Sequence, residues 1–153
     1  MSRAFVRESD AYPEPLPDRP ISPHPNFVTR RGLAAIEARV RELEAERADL
    51  GAGEDKAQRA GIERELRYWS SRRASARVVD PQTSERVRFG MLVTLRLNSG
   101  ATQEFRLVGE DEADASSGRI SWMAPLAQAL LGREAGESVA FQGGEAEIIS
   151  IEP

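Results

Sequence analysis

The sequence predicts an α+β protein: an N-terminal antiparallel helical hairpin of the coiled-coil kind, then a β-rich domain with one short helix. Three observations predict it. Apolar residues recur at steps of three and four in two stretches of similar length, which is the stripe a paired helix buries. A glycine-bearing turn, Leu50-Gly51-Ala52-Gly53-Glu54-Asp55, separates the two stretches. Beyond Asp80-Pro81 the period changes to two, the period of a half-buried strand.

Residues 1–27 come first and form an extended, proline-rich arm, with prolines at 13, 15, 17, 20, 23 and 25. Proline fixes φ and removes a backbone donor, so the arm reads as extended and largely unpaired. Two readings stay open for it: a loosely held tail, or a strap lying along the folded part or against a partner. The hairpin follows over residues 28–79. Thr29 is suited to capping a helix, and Leu33, Ile36, Val40, Leu43 and Leu50 then mark one face, interrupted only by Arg47. The first helix is expected over residues 30–49. In the turn, Gly51 or Gly53 supplies a left-handed residue, and Glu54 and Asp55 favour the positive end of the next helix. Ile62, Leu66, Trp69, Arg73 and Ala76 mark the seam of that second helix. Each helix should be about 30 Å long at 1.5 Å per residue.

Residues 80–153 form the β-rich domain. Asp80-Pro81 marks the helix break. Val87 to Leu97 reads as a strand interrupted by Gly90, with Val93, Leu95 and Leu97 alternating with polar neighbours. Asn98-Ser99-Gly100-Ala101 is a turn, after which Gln103, Phe105 and Leu107 continue the alternation. Ile120-Ser121-Trp122 is a short third strand. Residues 125–131 form a short helix, begun by Pro125 and ended by Gly132. Val139-Ala140-Phe141, a turn at Gly143-Gly144 and residues 146–151 close the domain as a hairpin.

Composition excludes several functions. There is no cysteine, so disulfides, thiolate metal sites and a Cys nucleophile are ruled out. The start, MSRAFVRESD, has no signal-like apolar run, and no stretch approaches the roughly 20 apolar residues of a membrane helix. A soluble, cytoplasmic protein is expected. The lone His24 lies in the arm, and a His metal site or catalytic triad is not expected from it. Net charge is −4 and uneven: residues 28–79 hold twelve Lys and Arg against nine acids, whereas residues 80–153 hold six against twelve. An acidic end opposes wrapping of nucleic-acid phosphates and suits a basic protein surface.

Four blocks stand in order within the second half: Val108-Gly109-Glu110-Asp111-Glu112-Ala113-Asp114, Gly118-Arg119-Ile120-Ser121, Ala124-Pro125-Leu126-Ala127-Gln128-Ala129-Leu130-Leu131-Gly132, and a glycine-rich final hairpin. This half resembles the C-terminal domain of the bacterial Gre transcription elongation factors, with Ala124 where that family usually has Ser. Val28-Thr29-Arg30-Arg31-Gly32-Leu33 resembles the family's helix start more weakly. The resemblance implies an FKBP-like fold for residues 80–153. It also implies docking on bacterial RNA polymerase at the rim of the secondary channel, with the hairpin inside, so that nucleic acid is met only through the polymerase complex.

The same resemblance implies that the chain is not itself an enzyme. In the family, acids at the hairpin tip help the polymerase hold a catalytic Mg²⁺ and cut its own backtracked RNA. A hard cation wants carboxylate oxygens, and a second metal activates water in such a site. Here any Mg²⁺ would be held mainly by the polymerase, and no cofactor of the chain's own is expected. The tip departs from the family pattern: only Asp49, Glu54 and Asp55 lie near the turn, and the arms are shorter. Polymerase binding with weak or absent stimulation of cleavage is therefore expected.

The residues implied in polymerase binding are Asp111, Glu112, Asp114, Ser121, Trp122, Pro125 and Leu126. The acids among them, Trp122 and the tip acids each have a plainer alternative. Glu54 and Asp55 read more readily as helix-capping acids than as metal ligands, and the loop from Glu110 to Asp114 reads equally as a solvated loop. Trp122 is either a core residue on the face of Ile120 or an exposed anchor, since Trp is enriched at interface hot spots. Two other functions compete: an adaptor resembling the nucleoside diphosphate kinase regulators, which share this domain with a reduced hairpin, and prolyl isomerisation, suggested by fold analogy alone and expected to be absent.

Overall fold

The structure, a computed structural model, describes residues 16–51 and 55–153. Helix α1 spans Arg30–Asp49 and helix α2 Lys56–Ser75, twenty residues each. Thr29 caps α1, its hydroxyl accepting from the Gly32 N–H at 2.9 Å. Val40 and Leu43 of α1 are buried against Ile62 and Leu66 of α2, with Leu50 and Trp69 packed at the margins, and Ile36 is buried one turn nearer the base. The a/d seam thus forms as its spacing predicts, and burial of that stripe holds the two helices antiparallel.

Three features near the base of the hairpin differ from expectation. The seam of α2 does not continue through Arg73: that residue is exposed and Arg72 is buried instead. The helix ends at Ser75, well before Asp80-Pro81, and Arg77–Val78 (β2) pairs in parallel with Phe27–Val28 (β1). Two-residue strands are too short to display an alternation, so periodicity had no means of announcing them. The pair continues into flanking hydrogen bonds: the Arg77 N–H donates to Asn26 O at 2.8 Å, and the Val79 N–H to Val28 O at 2.9 Å.

The β-rich domain is a five-stranded sheet in the order β5-β4-β3-β7-β6. Its strands are β3 (Leu92–Arg96), β4 (Thr102–Val108), β5 (Arg119–Ser121), β6 (Ser138–Phe141) and β7 (Gly144–Glu152). All neighbours run antiparallel except β4 and β5. Helix α3, Pro125–Leu130, starts on proline as expected and stops one residue short of Leu131. Its Ala127 and Leu130 pack on Val93, Leu95, Leu107 and Ile148, all fully buried.

The strand expected from Val87 begins only at Leu92. Gly90 takes a positive φ of 85°, which glycine adopts without a Cβ penalty, and its N–H donates to Leu107 O at 2.8 Å. This turn frees Val87 to bond outside the sheet, its N–H donating to Arg133 O at 2.9 Å. The third strand also ends early, at Ser121, leaving Trp122 outside the sheet.

Candidate interaction site at the hairpin–domain junction

The loop after β4 carries the acids singled out above, and it lies against the hairpin. Gly109 makes the approach possible: a Cβ there would stand 2.5 Å from the carbonyl oxygen of Phe27. Two residues on, Asp111 points inward. Its Oδ2 accepts from Arg72 Nε at 2.6 Å and its Oδ1 from the Tyr68 hydroxyl at 2.5 Å. Arg72 also donates through Nη2 to Asn26 Oδ1 at 2.8 Å, while Asn26 Nδ2 returns a bond to the Arg72 carbonyl at 2.8 Å. The Arg72 side chain is 2% exposed and that of Asp111 9%. A pair this far removed from water survives only when its remaining donors are satisfied, and Asn26 does that.

Neighbouring acids reinforce the junction. Glu110 accepts from Ser22 Oγ at 3.0 Å and has its other oxygen 3.8 Å from Arg72 Nη2. Glu112 accepts from the Thr29 hydroxyl at 2.5 Å, tying the loop to the start of α1. Asp114 serves its own loop: it caps the turn at Ala115–Ser117 and pairs with Arg119 at 3.4 Å. Bonds from the Ser116 and Ser117 hydroxyls hold its carboxyl below the usual carboxylate range. Burial, and then the bond to Asp111, push the Tyr68 hydroxyl up to about 12. At neutral pH that phenol is a firm donor.

Trp122 sits on the same junction. Its ring lies 5.2 Å from that of Phe27 and 6.5 Å from that of His24, so it has packing partners in the arm and in β1. Ser121 closes a local turn by accepting from the Met123 N–H at 3.1 Å. Pro125 is exposed at the start of α3, and Leu126 is half-buried against the domain core. The described part of the arm is a strap: Asp18 pairs with Arg67 at 2.5 Å and Arg19 with Glu65 at 2.8 Å, both along α2.

The hairpin tip is simpler. Asp55 caps α2, its Oδ1 accepting from the Ala57 and Gln58 N–H groups at 3.1 and 3.2 Å. Asp49 is exposed at the end of α1, and Glu54 lies outside the described residues. Arg59 Nη2 covers the carbonyls just past the end of α1, at 3.1 Å from Leu50 O and 3.2 Å from Gly51 O. Among the described residues no three His, Cys, Asp or Glu side chains converge as a metal site, and no helix is long and apolar enough to cross a membrane.

A family model described as the C-terminal domain of the transcription elongation factors GreA and GreB matches residues 82–153. GreA of Desulfovibrio desulfuricans is 34% identical over 135 residues, an alignment covering 75% of this chain and 83% of that protein. The chain belongs to the GreA/GreB family. GreB of Neisseria meningitidis serogroup B is 37% identical over 98 residues, covering 60% of each chain. Among solved structures, a GreA/GreB factor from Nitrosomonas europaea aligns at 24% identity over 85% of this chain and 99% of that one, with a TM-score of 0.42.

In this GreA/GreB-family chain the junction brings together Asp111, Glu112 and Trp122, and leaves Asp114, Ser121, Pro125 and Leu126 on the adjoining surface of the β domain. Sequence reasoning missed Arg72, Asn26 and Tyr68. The one signal for Arg72 was its place three residues after Trp69, a step as helical as the four to Arg73. Both candidates are arginine, so hydrophobicity had no basis for choosing between them. Below the junction a cleft of about 420 Å³ opens between the hairpin base and the sheet. Within it, Arg30 forms two 2.7 Å bonds with Asp80, and Arg106 donates to Gly90 O at 2.8 Å.

Proposed function

We propose that this chain regulates transcription elongation by binding bacterial RNA polymerase, with the β domain at the rim of the secondary channel and the hairpin directed into it. The observation that carries the reading is the Arg72–Asp111 junction, which joins the family's C-terminal domain to a hairpin of two twenty-residue helices. Docking the domain then also sets the direction of the tip. Asp114, Ser121, Pro125 and Leu126 would meet the polymerase directly. Asp111, Glu112 and Trp122 contribute by holding the surface in shape, and through whatever edge of them stays accessible. The acidic balance of residues 80–153 favours a basic polymerase surface.

The chain performs no chemistry of its own in this reading, works in the cytoplasm, and meets nucleic acid only within the polymerase complex. Any Mg²⁺ would be held mainly by the polymerase. At the tip, Asp55 is engaged as a helix cap, so stimulation of RNA cleavage should be weak or absent. Competition binding to core polymerase tests the proposal, and absence of binding at micromolar concentration would sink it. Strong cleavage by stalled complexes, abolished by Glu54→Ala with Asp55→Ala, would overturn the expectation about the tip. The reduced hairpin also favours a second reading, an adaptor resembling the nucleoside diphosphate kinase regulators. Co-purification with a kinase and not with polymerase would select it.

A further inference from the structure

The first described residues of the arm are held on α2 through Arg19. Tyr68 and Trp69 stand edge to face on α2, ring centroids 5.0 Å apart at 90°. The Arg19 guanidinium carbon lies 3.8 Å from the centre of the Tyr68 ring and 5.8 Å from that of Trp69. Arg19 Nη1 is 2.8 Å from Glu65 Oε2, and the Trp69 indole N–H reaches the same oxygen at 3.3 Å. Two π faces and a carboxylate around one guanidinium make a specific cation site, since ring quadrupole and ion pair attract the same group.

Beyond that site, the segment's side-chain contacts with the β domain are the Ser22–Glu110 bond at 3.0 Å and the His24–Trp122 ring contact. Among the described residues 16–25, none makes a backbone–backbone hydrogen bond to the rest of the chain; those begin at Asn26. The Asp18–Arg67 pair is exposed, at 70% and 47% of the two side chains, and exposed pairs contribute little. Leu16, Pro23, His24 and Pro25 are exposed, and Ile21 is 45% exposed. Prolines at 17, 20, 23 and 25 keep the segment extended, the form in which proline-flanked peptides are read by aromatic surfaces. The inner end is different, because Asn26 is buried on Arg72.

We propose that Glu65, Tyr68 and Trp69 form a receiving site for an arginine in an extended, proline-flanked segment of a partner protein, and that residues 16–24 occupy it as a displaceable cover. The ligand chemistry follows from the occupant: Arg19 already satisfies the site, and Glu65 selects a cation over a neutral side chain. A tethered occupant acts at an effective concentration of about millimolar. The arm therefore sets a threshold that a partner's arginine must exceed. This goes beyond the polymerase reading and does not depend on it.

The test uses the full chain, wild type and Arg19→Ala, with circular dichroism confirming that both are folded. The probes are a synthetic peptide of residues 16–25 and the same peptide with its arginine replaced by alanine. The Trp69 indole N–H resonance reports occupancy. The Arg19→Ala chain should bind the arginine peptide about tenfold more tightly than the wild type does, as expected when a tethered competitor is weakened. The alanine peptide should leave the resonance unmoved, and adding Glu65→Gln to Arg19→Ala should remove the uptake. Equal binding by the two chains, binding of the alanine peptide, or no binding by either chain would each overturn the proposal. So would concentration-dependent dimerisation lost on Arg19→Ala, which would make the occupant a second copy of this chain.

Discussion

Arg72 has 2% of its side chain exposed and touches Asp111, Asn26 and the edge of Glu110. Removing it leaves a carboxylate out of water without its partner, which typically costs 3–5 kcal/mol. Arg72→Ala should therefore lower stability by about that amount in urea unfolding. Replacing the pair together, Arg72→Met with Asp111→Leu, should recover most of the loss. Tyr68, on the same carboxylate, gives a pH signature. Its hydroxyl is raised from 10.0 to about 12, first by burial and then by Asp111. A raised folded value means the folded state holds the proton more tightly than the unfolded chain does. The contribution is thus complete below pH 10 and lost as pH rises through about 12. Unfolding measured between pH 9 and 12 should show this fall, and Tyr68→Phe should flatten it. None of this was legible beforehand: an arginine and a tyrosine on a charged helix look like solvated residues until the loop from β4 arrives to meet them.

Among the elements, those governed by local periodicity were the legible ones. The Ile36, Val40 and Leu43 stripe and its Ile62 and Leu66 counterpart dictate the hairpin, and the alternation in β3 and β4 dictates the sheet. What escaped were elements decided by contact at a distance. The β1–β2 pair joins residues about fifty positions apart, and no local pattern encodes that partner. The segment Val87–Met91 is apolar enough for a strand, yet Gly90 turns it and Val87 bonds to Arg133. Gly109 shows how narrow the junction is. A methyl group at that position would lie 2.5 Å from Phe27 O, and neither backbone can yield freely. Gly109→Ala should destabilise by about 1–3 kcal/mol, the usual cost of overpacking. It should also speed hydrogen exchange at the Val79 N–H, which bonds to Val28 O beside that contact.

For the whole molecule, the junction makes the hairpin and the β domain one mechanical unit. The absence of cysteine in the chain makes this directly measurable. Spin labels on Asp49→Cys at the tip and Ala140→Cys on β6 should give a narrow distance distribution. Adding Arg72→Ala should broaden it, and an unchanged distribution would show that the ion pair does not set the angle. By itself the sequence determined the two halves of this protein, its family resemblance and its charge asymmetry, because helical and strand periods, proline and net charge are local or additive properties. Only the tertiary structure decided what the acidic loop and the proline-rich arm do. An aspartate reads alike whether it faces water or a buried guanidinium, and the difference is made by segments that meet only after the chain has folded.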